Sequence, residues 1–203
     1  MPGMSLPSAY AHRLLWPMTF ALCLLGHPVA AGAPGLIEAC VDYHCDRRRP
    51  VVLDAAAWRQ LGDLFRHAES AAVERANIAR GIGLLEQLVG RRTGTWQDRP
   101  RNSAGDGQTG QLDCIAESIN TTTYLRLLEQ AGLLRWHRVE ARTKRQRWLV
   151  AIHWTAVIRA SDTDTLYAVD SWYRANGEPP LVQPLDDWRK GLPPAQLTVR
   201  RDD

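Results

Sequence analysis

Apolar residues recur at helical spacing through two early stretches of the 203-residue chain. Trp58, Leu61 and Phe65 mark one face of a helix over 55–67, and Asp54 stands where a cap is needed. A second helical stretch runs from Ser70 to Val89, with Val73, Ala76, Ile82 or Leu84, and Leu85 or Leu88 available to a buried face. Gly90 is its expected stop. A third helix begins at Asp113 or Cys114, with Asp113 suited to the N-cap and Gly132 to the end. Its run Thr121-Thr122-Thr123 is a poor helix former, so this helix depends on tertiary packing.

Beyond Gly132 the period shortens. Leu134 to Ala141 alternates, 148–159 is rich in Val, Ile, Trp and Thr, and 166–173 follows the polar turn 161–165. Two strands joined so briefly form an antiparallel hairpin. Helices followed by a meander of strands predict an α+β fold, with N-terminal helices and a central helix packed on an antiparallel sheet. Between the helical region 54–90 and the core 113–173 lies a loop, 93–112, with four glycines and Pro100. Loops that long are uncommon as mere connectors. The tail 174–203 reads as turns and a short helical piece.

Composition narrows the class. A hydrophobic content of 45% and a charged content of 23% suit a globular domain, and a net charge of +3 is too small to suggest a polyanion partner. The apolar run 14–26, after His12 and Arg13, reads as a secretory signal, with small residues near 29–33 for cleavage. The expected organisation is a leader over 1–33 and one domain over 34–203, the membrane being met only through the leader. An uncleaved anchor is the other reading of that run. Export implies a periplasmic or secreted protein in an oxidising compartment.

Cleavage there removes Cys23 and leaves Cys40, Cys45 and Cys114. Cys40 and Cys45 enclose a short loop and suit a local disulfide. A metal site of Cys40, His44 and Cys45 is the alternative, but no fourth ligand is evident, so no metal and no cofactor are expected. Cys114 is then the odd thiol. At the first turn of a helix it lies near unpaired N–H groups and the positive end of the dipole, which favour thiolate. Asp113 opposes this as a like charge unless its carboxylate is engaged in capping.

A thiolate needs a base and a group that orients the base. His153 lies mid-strand, and folding at 161–165 brings it within two or three residues of Asp170. They share a face only for registers of one parity. Trp172 would then lie on the same face and shield the pair. His137 competes for the role of base, without an acid on a hairpin partner.

The order Cys114, His153, Asp170 resembles the transglutaminase-like branch of the papain-like cysteine peptidase superfamily, including the bacterial transglutaminase-like cysteine proteinases. Asp170-Ser171-Trp172 is similar to the Asn-Ser-Trp of papain-type enzymes, and Gln108 precedes Cys114 by the interval of their oxyanion-hole glutamine; Gln111 is an alternative donor. The likeness covers 108–172. It implies a papain-like or transglutaminase-like core and a Cys-His-Asp thiol hydrolase or acyltransferase acting on protein or peptide amides. A catalytically idle member of that fold, serving as a binding or scaffold module, is a second reading. A polyanion-binding surface on Arg142-Thr-Lys-Arg-Gln-Arg147 is a third, although export makes nucleic acid an unexpected partner.

Overall fold

Side-chain caps fix where the helices start. The computed structural model describes residues 36–147 and 151–192, together with Met1. The expected leader, residues 148–150 and the end of the tail lie outside them. Asp54 accepts from Ala57 N at the start of α1 (Ala55–Phe65), and Ser70 accepts from Val73 N at the start of α2 (Ala71–Thr93). The second helix runs past Gly90 and ends at Gly94, whose φ of 93° supplies the left-handed cap. Gly90 serves close approach instead: a Cβ there would lie 2.6 Å from Asn176 Oδ1. Asp113 caps α3 (Cys114–Gln130) by accepting from Ala116 N.

The protein is α+β, with four helices and two antiparallel sheets among the described residues. A two-stranded sheet pairs β1 (Ile37–Cys40) with β2 (Arg48–Val51). Both strands are four residues long and carry too little alternation to be read from sequence. The larger sheet has the order β3-β4-β5-β6, formed by β3 (His137–Arg147), β4 (Ala151–Ala160), β5 (Leu166–Asp170) and β6 (Leu181–Pro184). The tail thus adds an edge strand, β6, before the short α4 (Leu185–Lys190).

Alternation splits the sheet between two cores. Ala156, Ile158 and Val169 join the main core with Ile78, Ile82 and Leu85 of α2 and Leu125 and Leu128 of α3. Val157 and Ala168, on the opposite face, are covered by Leu185 and Trp188 of α4. The threonine run bends its hydroxyls back onto the helix, Thr122 to Ser118 O and Thr123 to Ile119 O. Thr121 instead reaches Ser171 Oγ at 2.9 Å, tying α3 to the residue after Asp170. That bond supplies part of the packing this helix requires. The described residues from 36 to 192 belong to one compact unit.

Candidate active site

The β4–β5 register decides whether the candidate base and acid can meet. Ala156 pairs with Val169, which puts Asp170 opposite Thr155 and leaves His153 two residues along on the same face. A diagonal pair of that kind spans about 7–8 Å between Cα atoms, within reach of the two side chains. His153 Nε2 donates to Asp170 Oδ2 at 2.7 Å, with side chains only 12% and 2% exposed. The nitrogen left for a thiol is Nδ1.

Cys114 occupies the first turn of α3, half-buried and outside any disulfide. Its Sγ donates to the carbonyl of Ile152, the neighbour of His153, at 4.0 Å. Burial pulls the His153 pKa down, but hydrogen bonding and charge from Asp170 and Cys114 outweigh it, and the ring is raised to about 9. A cationic imidazole at neutral pH is the partner a thiolate needs. Cys114 and His153 both line a cleft of about 570 Å³. Its walls include Ile152, Trp172, Tyr173, Tyr43 and, from the long loop, Asn102 and Asp106.

Trp172 lies against the ring of His153, centroids 4.8 Å apart, and its indole N–H donates to Asn102 O. A second bond to the acid comes from the tail, where the sequence predicts only turns and a short helical piece. Trp188 Nε1 donates to Asp170 Oδ2 at 2.7 Å. The only sequence hint of this is the Leu185/Trp188 spacing, which marks one buried helical face. Arg145, opposite His153 in the β3–β4 register, donates to Trp188 O and to Tyr173 OH, and its guanidinium lies 4.6 Å from the centre of the Trp188 ring.

The two glutamines expected to stabilise an oxyanion face elsewhere. Gln111 is buried, its Oε1 accepting from Asn102 and Arg99 and its Nε2 donating to Gln97 O at 2.7 Å. Gln108 is exposed, bonded to Arg99 and Ala104 O, and borders a smaller neighbouring depression. Neither lines the cleft. The loop 93–112 spends its amides on its own conformation, a use that spacing to Cys114 does not reveal.

Cys40 and Cys45 are joined by a disulfide, so the thiolates a metal site would need are spent. Among the described residues no group of three His, Cys, Asp or Glu side chains could hold a metal ion. The competing His137 is fully buried at the far end of β3, opposite Ala160, with Nδ1 on Glu74 Oε1 at 2.9 Å. Glu74 also accepts from the backbone of Arg135 and Trp136, which makes this pair a helix-to-strand tie. The basic run divides: Arg142 and Lys144 lie over Trp154, while Arg145 turns to the opposite face.

Comparison of the chain with protein-family models, curated proteins and solved structures returns no match.

Proposed function

We propose that this chain is an exported thiol-dependent hydrolase or acyltransferase acting on protein or peptide amides, built on a papain-like or transglutaminase-like core. One observation carries the reading. A thiol at a helix tip and a cationic imidazole, anchored on a buried carboxylate, line the same cleft. Cys114 attacks the amide carbonyl as thiolate, and His153 passes a proton to the leaving amine. A thioester forms on Sγ. Water or an amine then resolves it, giving hydrolysis or transfer.

The N–H of Cys114, in the first turn of α3 where backbone donors lack helical partners, is suited to the developing oxyanion. Supporting an extracytoplasmic location is the Cys40–Cys45 disulfide, a bond that persists in oxidising compartments. The cleft sets the aromatic rings of Tyr43, Trp172 and Tyr173 and the side chain of Ile152 beside two carboxylates, Asp106 and Asp113, which suits a peptide segment better than a polyanionic nucleic acid.

The test is the rate of Cys114 alkylation by iodoacetamide as a function of pH, in wild type and His153→Ala. A reactive thiolate well below pH 8.5, lost in the variant, is expected. Slow labelling in both, rising only at alkaline pH, would instead identify the idle scaffold.

A further inference from the structure

Asp113 raises a difficulty for any thiolate at residue 114, because its carboxylate stands next in sequence. The structure shows how that charge is engaged, and the partner comes from the disulfide loop. Asp113 Oδ1 accepts from Ala116 N at 2.9 Å and from His44 N at 3.1 Å. Its Oδ2 lies 3.6 Å from His44 Nε2. The same loop sends Tyr43 across the cleft, where its hydroxyl donates to Asn102 O and accepts from Gly105 N at 2.7 Å. Both Tyr43 and His44 line the cleft that holds Cys114.

The loop holds a conformation that its residues do not favour. His44 has φ 57° and Cys45 φ 64°, left-handed positions occupied by residues other than glycine. Two constraints impose it. The disulfide closes the loop at Cys40 and Cys45. Asn120 of α3 then grips Cys40, accepting from its N–H at 2.8 Å and donating to its carbonyl at 3.0 Å. One helix therefore carries the thiol at its tip and, near its middle, the side chain that holds the loop.

We propose that His44 is a positioning residue for the Cys114 thiolate, engaging the Asp113 carboxylate, and that the Cys40–Cys45 disulfide is the clasp that keeps it there. The inference rests on Cys114 being the reactive thiol proposed above. Other charged groups around the sulfur are His153 on β4 and Arg142 on β3, which also acts on Asp113 and Cys114. Asp106 and Arg145 complete the charged lining of the cleft. Of these groups, only His44 sits in a loop closed by the Cys40–Cys45 disulfide. When a dithiol reduces the bond, two thiols and the oxidised dithiol result. His44 and Cys45 then relax from their left-handed positions, and Asp113 loses both contacts from His44.

The experiment compares iodoacetamide labelling of Cys114 against pH, read by peptide mass, in wild type, Cys40→Ser/Cys45→Ser and His44→Ala, each checked for folding by circular dichroism. His44→Ala leaves the disulfide intact, so it answers even where the double variant fails to fold. Both variants are expected to shift the labelling profile up by about one pH unit, an approximately tenfold slower rate near pH 6. Adding Asp113→Asn to His44→Ala should restore much of the rate, because the charge that the imidazole had faced is then gone. A purely structural loop would not give that rescue. A wild type that labels only at alkaline pH would overturn the enzyme reading itself. A reactive wild type with an unmoved profile in the folded His44 variant would overturn this proposal alone.

Discussion

His153 reaches Asp170 diagonally across the β4–β5 hairpin, Nε2 to Oδ2 at 2.7 Å, and this bond is the main reason the ring stays cationic despite its burial. Replacing Asp170 by Asn keeps the shape and removes the charge. The His153 titration, followed by NMR, should fall clearly below about 9. Labelling of Cys114 near pH 6 should slow by about tenfold or more with it. A His153 titration unchanged in the folded variant would contradict the ion pair.

The same carboxylate oxygen is held from the other side by the indole of Trp188, which is 1% exposed. Trp188→Phe keeps most of the ring and deletes one donor to a buried anion. A hydrogen bond to a charged group contributes about 1.5–3 kcal/mol, so urea unfolding should show a loss of that order. A loss below about 0.5 kcal/mol would mean that water replaces the indole.

Legibility from sequence followed the length and regularity of each element. The α1 and α3 caps, Asp54 and Asp113, could be read because a single side chain answers a local need. His153 and Asp170 were findable because a short turn limits the register, though parity waited on the pairing of Ala156 with Val169. Trp188, which reaches Asp170 from the tail, and Tyr43, which reaches the cleft from the disulfide loop, carry no local signal and lie far from Cys114 in sequence, while His44 stands out only as a possible metal ligand. The glutamines show the converse. Gln108 and Gln111 stand at a suggestive interval before the thiol, and local loop bonding turns both away.

That loop bonding makes a prediction of its own. Gln111→Ala strips a buried amide from Asn102, Arg99 and Gln97 O, leaving partners unsatisfied. Denaturant unfolding should show a loss of about 1–3 kcal/mol, against a few tenths for the exposed Gln108→Ala. Equal, negligible effects would show that the loop's amides contribute nothing to its conformation.

Beneath the site, three buried carboxyls set how stability depends on pH. Glu86 of α2, Asp98 of the loop and Glu117 of α3 are all raised, chiefly by burial: Glu86 to about 7, Glu117 well above the usual range. Glu86 Oε2 accepts from Gly177 N, and Asp98 accepts from Leu112 N. Raised carboxyls hold protons in the folded state that the unfolded chain has released. Stability therefore falls as pH climbs from about 4.5 through the folded values. His153 acts in the same sense, its contribution being complete below about 6.5 and lost through about 9. Below pH 4 the lowered Asp42 and Glu74 carboxyls reverse the trend, since their contribution vanishes on protonation. Urea midpoints should be highest near pH 5 and should drop by pH 8.5 by the equivalent of a few kcal/mol. Glu117→Gln should flatten that fall by removing one of the three ionisations. A midpoint at pH 8.5 equal to or above that at pH 5 would mean that the three carboxyls are ionised in the native protein and are matched by counter-charge.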